Sequence, residues 1–223
     1  MKRLLPLALL LLLMPFGASA APAIYENPRA NLGTTVRYVR RSARTIREEA
    51  LRRRWEDATA TDYSRMAALQ NYFGSGLYRF GIRYPKDWTV QKLMDRSGSV
   101  TTVALFLSPF DNEQDTSREN INAVVEEMPS PLSMAQYTDL AIGHERALFD
   151  DYALLASQDL LVAGLPAHRI AYTATFQGQT LAFEQVWVPR QGQMLVWTLA
   201  ASPATFDRYS AIFHQMLNTL ILG

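Results

Sequence analysis

The chain has 223 residues, with 22 Lys and Arg against 21 Asp and Glu, and 48% of its residues are hydrophobic. That composition excludes a collagen-like, coiled-coil or wholly disordered chain. It contains no cysteine, which excludes a disulfide framework, a thiolate zinc site, a cysteine nucleophile and a lipid anchor through that residue.

The chain opens with Met1-Lys2-Arg3, a leucine-rich stretch from Leu4 to Phe16, and the small-x-small run Ala18-Ser19-Ala20. This order predicts a secretory signal over residues 1–20, cleaved before Ala21, and the apolar stretch is short for a membrane span. The expected product is exported, has 203 residues and carries a net charge of −1.

That charge is split. Residues 21–76 hold ten Arg against six acids, and residues 77–223 hold ten Lys and Arg against fifteen acids. Eight arginines fall between Arg37 and Arg54. Val36, Val39, Ala43, Ile46 and Ala50 recur there at steps of three and four, which predicts a helix with one narrow apolar stripe and arginines around the rest. Arg40, Arg41, Arg44, Arg47, Arg52, Arg53 and Arg54 would form a docking surface for a partner or an anionic membrane. The alternative is a solvated helix whose stripe packs on its own acidic domain. Nucleic acid is not expected as a partner, because the chain is expected outside the cell and the basic run lacks interleaved aromatics. A short helical pattern follows Thr61-Asp62, and Gly74-Ser75-Gly76 reads as a linker to a domain over 77–223.

Strict alternation from Leu77 to Tyr84 predicts a first strand ended by Pro85. Trp88 to Met94, Val100 to Leu107 and Asn120 to Glu127 read as three more, the second of these apolar on both faces and therefore central. Ser133 with Gln136 forms a capping box that starts a helix, with Tyr137, Leu140, Ala141, His144, Ala147 and Leu148 on its buried face. Tyr152–Val162, His168–Phe176, Leu181–Val188 and Met194–Ala200 then read as strands joined by tight turns, the first at Gly164-Leu165-Pro166. Ser202 as N-cap and Pro203 at the first turn predict a last helix burying Phe206, Tyr209, Phe213, Met216, Leu217 and Leu220. Four strands, a helix, four strands and a helix make an α+β domain on an antiparallel sheet, with the helices on opposite faces.

The sequence carries no Gly-x-Ser-x-Gly elbow, His-Glu-x-x-His, P-loop or dinucleotide-binding glycine run, so a non-enzymatic role is expected. His144 and His168 read as hydrogen-bonded core histidines and His214 as a surface one. Ser108 or Ser202 would need a histidine partner to act as a nucleophile. Asp111, Glu113 and Asp115 alternate as oxygen ligands for a hard cation such as Ca²⁺ do, but Thr116 and Asn122 stand where an EF-hand needs Gly and Glu. A solvated acidic loop is the plainer reading. Arg169 and Glu184 are expected to meet across their strands.

Tyr78-Arg79-Phe80-Gly81-Ile82-Arg83-Tyr84-Pro85-Lys86-Asp87-Trp88 resembles the opening segment of the PsbP family, the extrinsic lumenal proteins of photosystem II and their bacterial relatives. In the same order, Val103–Pro109 resembles the family's third strand and Glu119–Val125 its fourth. Ala163-Gly164-Leu165-Pro166-Ala167-His168 resembles its Gly-x-Pro-Ala hairpin, and Ala200–Phe206 the start of its final helix. The resemblance spans residues 77–222. It implies an α/β/α sandwich around an antiparallel sheet and a non-enzymatic extrinsic protein, in the periplasm or a thylakoid lumen. In a photosynthetic host it implies docking on photosystem II at the oxygen-evolving complex, with calcium as the associated ion. The missing lipobox cysteine and the Arg-rich helix depart from the family pattern. Two further roles stay open at this level: a soluble carrier of a metal such as Ca²⁺ or Mn²⁺ or of a small ligand, and a hydrolase.

Overall fold

The computed structural model describes residues 69–113, 117–128, 132–176 and 178–223. The expected signal, the Arg-rich helix with its seven docking arginines, and Asp115 lie outside the described residues.

Among the described residues, two antiparallel sheets and two helices build the domain. β1 (Asn71–Ser75), β2 (Phe80–Tyr84) and β10 (Ile221–Leu222) form a small sheet in the order β1-β2-β10. The large sheet has seven strands. They are β3 (Thr89–Ser97), β4 (Val100–Leu107), β5 (Asn120–Glu127), β6 (Asp150–Val162), β7 (Leu165–Phe176), β8 (Gln179–Arg190) and β9 (Gln193–Ala201). Their order is β3-β4-β5-β9-β8-β7-β6, every pair antiparallel.

The helices are α1 (Met134–Leu148) and α2 (Phe206–Asn218). On one face of the large sheet, Tyr137 and Ala141 of α1 pack with Ile170, Tyr172, Phe183 and Trp187. On the other, Phe206, Tyr209, Phe213, Met216 and Leu217 of α2 pack with Phe106, Val186, Trp197 and Leu199, and the small sheet adds Phe73, Phe80 and Ile82. The expected α+β sandwich with one helix on each face is the observed fold. The inner strands are buried along most of their length because both faces are covered.

Local physics explains the agreements. Ser133 accepts from the Gln136 backbone N–H (3.2 Å) while the Gln136 side chain accepts from the Ser133 N–H (2.9 Å), so the capping box starts α1 as expected. Ala163 and Gly164 both adopt positive φ (50° and 78°), closing the two-residue turn that pairs Val162 with Leu165.

Several expectations need correction. The linker expected at Gly74-Ser75-Gly76 is largely strand: Gly74 and Ser75 belong to β1, which pairs with β2 along its length. Gly74 sits opposite Gly81, and the Tyr72 ring lies over both, so close that a Cβ on Gly81 would fall 2.0 Å from the Tyr72 hydroxyl. These glycines make room for a ring rather than for motion. β2 itself begins at Phe80, because residues 76–79 form the hairpin loop. β3 runs on to Ser97, past the expected end at Met94, since an irregularity between Lys92 and Asp95, with Met94 at φ 55°, re-aims the strand.

The buried face of α1 is Tyr137, Thr138, Ala141 and Glu145, while Leu140, Ala147 and Leu148 are exposed and His144 is half-buried. α2 starts at Phe206, not Pro203. Ser202 instead closes the preceding turn, accepting from the Thr205 N–H, and the Thr205 hydroxyl is engaged by Glu119. Its expected apolar face is buried as expected.

Candidate functional site

The edge hairpin β6–β7 carries the most organised polar cluster. His168 is buried, and its ring stacks on Trp187 of β8 at 5.7 Å. Its Nε2 lies 2.8 Å from Ser157 Oγ, and its Nδ1 lies 2.6 Å from Asp159 Oδ1. Register from the tight turn places Asp159 opposite His168 and Ser157 opposite Ile170. The irregularity between Leu154 and Ala156 shifts the alternation by one, so Ser157 and Asp159 share the α1-side face with Leu154.

From His168 a polar line runs inward beneath α1. Trp187 Nε1 donates to Gln185 Oε1 (3.0 Å), and Gln185 Nε2 donates to the Tyr172 hydroxyl (3.3 Å). Glu145 of α1 bonds with Gln185 and Tyr172, and burial pushes its carboxyl up to about 8, so it is largely a neutral acid at pH 7. Tyr137 donates to Glu126 of β5 (2.8 Å), and burial raises the Glu126 carboxyl too. Tyr152, whose ring lies tilted against Tyr172 at 4.9 Å, has its phenol pKa raised by burial and by the nearby Glu145.

An open depression of about 490 Å³ adjoins the cluster, lined by Met134, Asp159, Leu160, Leu161, Pro166, Ala167 and Pro189. Its origin is in the backbone. The β7–β8 ladder stops at His168–Trp187, and Pro166 and Pro189 lie just past that point, each lacking the N–H that would extend it.

The opposite face of the hairpin holds a buried ion pair. Arg169 Nε lies 2.9 Å from Glu184 Oε1, as expected, across a diagonal of the ladder in which Glu184 faces Ala171. Ser210 of α2 donates to Glu184 Oε2 (2.6 Å), and His214 Nε2 meets Oε1. Burial alone would raise the Glu184 carboxyl, but His214, Arg169 and Ser210 outweigh it and hold it below the ordinary carboxylate value. His214, expected at the surface, is thus tied into the core. His168 is the hydrogen-bonded core histidine expected of it.

Asp111 is paired with Arg208 and accepts from the Tyr209 hydroxyl (3.0 Å). Glu113 is exposed. Among the described residues no group of three or more His, Asp or Glu side chains is placed to hold a metal ion. A calcium ion using Asp111 would have to displace a guanidinium from its carboxylate. Ser108 bonds to Glu119 and the Pro109 carbonyl, and Ser202 to Thr205, so the two serines singled out by sequence meet no histidine in these bonds. The serine that does meet one, Ser157, escapes a sequence reading because strict alternation from Tyr152 puts Gln158 on its face. Counting back from the Ala163-Gly164 turn would have found it. No helix among the described residues is long and apolar enough to cross a membrane.

No protein-family model matches the chain, and no curated protein matches it. Among solved structures it is similar to cyanobacterial PsbP (CyanoP) from Synechocystis sp. PCC 6803, with 13% identity and a TM-score of 0.52 over 73% of this chain and 97% of that one. It is also similar to a Pseudomonas aeruginosa protein of unknown function, with 17% identity and a TM-score of 0.49 over 69% and 96% of the two chains. LpqN, involved in cell envelope biogenesis of Mycobacterium tuberculosis, matches at 15% identity and a TM-score of 0.47 over 64% and 82%. The fold of this chain is PsbP-like.

Proposed function

We propose that the protein is an exported, non-enzymatic PsbP-like protein that docks on a membrane complex at the non-cytoplasmic face. In a photosynthetic host that complex would be photosystem II at its oxygen-evolving centre. The observation that carries this reading is the concentration of eight arginines between Arg37 and Arg54, ahead of a PsbP-like domain with an acid excess. Such a run attracts an acidic surface over a Debye length of about 10 Å at ~0.1 M salt, and the attraction fades as salt rises. An Arg40/Arg41/Arg44→Ala variant should lose most of its binding to solubilised host membranes at low salt. Equal binding by this variant contradicts the reading. Calcium, which the family resemblance implies, would rely on Glu113 and Asp115 unless Asp111 leaves Arg208.

A second reading, hydrolysis, is favoured by one observation: Ser157, His168 and Asp159 meet in the order nucleophile, base and orienting carboxylate, with the apolar depression beside Asp159. Ser157 would attack an ester carbonyl, passing its proton through His168 to the leaving alkoxide, and water would release the acyl group. A fluorophosphonate probe should then label Ser157, and labelling should vanish in His168→Gln. An unlabelled Ser157 ends this reading.

A further inference from the structure

The small sheet points its inner residues, Phe73, Phe80 and Ile82, into the α2-side core, and its outer face meets solvent. Three large apolar side chains are exposed on that face and on the hairpin loop at its end: Tyr72 (60%), Leu77 (71%) and Ile221 (64%). They are flanked by Arg79, Arg83 and Lys86, all exposed, and residues 69–86 contain no Asp or Glu. Residues 87–223 reverse this balance, with seven Lys or Arg against fifteen acids. The apolar residues therefore sit in or beside a segment where three exposed cations, Arg79, Arg83 and Lys86, meet one exposed acid, Asp87, at its end.

The loop that presents Leu77 is held in place. Arg190 donates to the carbonyls of Tyr78 (3.1 Å) and Arg79 (3.0 Å), and the Gly223 N–H donates to Arg79 O (2.8 Å). Ile221 lies beside Gly81 in register, and Tyr72 lies across the Gly74–Gly81 pair, so the three apolar groups belong to one sheet and its hairpin.

We propose that this outer face seats the domain on an anionic lipid surface, a contact that rests on the membrane-docking reading and gives it an orientation. Leu77 and Ile221 enter the boundary between headgroups and acyl chains, Tyr72 sits at headgroup level, and Arg79, Arg83 and Lys86 meet lipid phosphates. Charge complementarity selects the occupant. An anionic bilayer attracts this face and repels the acid-rich remainder, so only one orientation is favoured. The arginine run ending at Arg54 precedes β1 by sixteen residues and adds to the same attraction.

The absence of cysteine makes a direct test clean. In the mature chain, Leu77→Cys and Leu161→Cys each accept one environment-sensitive nitrobenzoxadiazole label; Leu161, 73% exposed, lies on the β6 edge. With phosphatidylglycerol-containing vesicles the Leu77 label should shift to the blue and brighten, and the Leu161 label should stay in water. Pure phosphatidylcholine should move neither. Leu77→Ser/Ile221→Ser should weaken vesicle partitioning by about tenfold or more, and Arg79→Gln/Arg83→Gln by a similar factor. Vesicle binding by these variants equal to the parent's, or a Leu161 label that responds in place of Leu77, overturns the proposal. A membrane complex captured from host extracts by a protein that ignores anionic vesicles would overturn this contact and leave the docking role standing. Vesicle binding through Leu77 with no complex captured would do the reverse.

Discussion

Arg169 and Glu184 meet at 2.9 Å between β7 and β8 with both side chains almost wholly buried, and Ser210 and His214 of α2 close on the same carboxylate. Four polar side chains thereby fix α2 to the sheet at one point within a largely apolar layer. Removing one member strands a buried charge. Glu184→Gln should cost about 3–5 kcal/mol in urea unfolding, whereas Arg169→Met combined with Glu184→Leu should recover much of that loss. A Glu184→Gln protein as stable as the parent would show that the pair is not the anchor.

Glu145 makes stability depend on pH in a defined sense. Its carboxyl is near 4.5 when unfolded and is raised by burial to about 8 in the fold, so the folded chain binds the extra proton between those values. Its contribution is fully present below about 4.5 and is lost as pH rises towards 8, at up to about 1.4 kcal/mol per pH unit. Glu145→Gln should flatten this limb and make the protein more stable than the parent at pH 8. Parallel pH–stability curves for the two proteins would contradict the assignment.

Tyr72 and Gly81 should behave as one unit. Gly81→Ala drives the ring off the sheet and should cost about 1 kcal/mol, while the same change in a Tyr72→Ala background should cost little or nothing. Additive costs in the double-mutant cycle would mean that the ring does not rest on the glycine pair.

Calcium binding through the 111–115 loop competes with an ion pair. If the loop binds the cation, calorimetric titration should show stronger binding in Arg208→Ala than in the parent, because Asp111 is then released. No heat from either protein at millimolar calcium would remove the loop as a metal site.

The sandwich was legible where one physical signal governs a segment. The apolar run over Val100–Leu107 and the strand read over Asn120–Glu127 match the observed strands to the residue, and the Ser133–Gln136 box marked where α1 starts. Legibility failed where tertiary context reverses a local rule. Gly74 reads as a linker until Tyr72 covers it. Glu145 lies outside the face expected for α1, yet it is buried beneath the helix with Gln185 and Tyr172, while Leu140 of the expected face is 54% exposed. The Ser157–His168–Asp159 cluster stayed hidden for a related reason: a shift in strand phase near Leu155 leaves no composition signal, and only register counted from the turn reveals it. Arg169 with Glu184 was found because a diagonal pair needs no phase shift.

We propose that this PsbP-like protein is exported and docks electrostatically on a membrane complex. The most direct measurement is a pull-down from detergent-solubilised host membranes with the mature protein as bait, at low and at high salt. The account predicts a defined complex captured at low salt and released at high salt. An empty bait at both salt concentrations, or capture that high salt leaves unchanged, would contradict it.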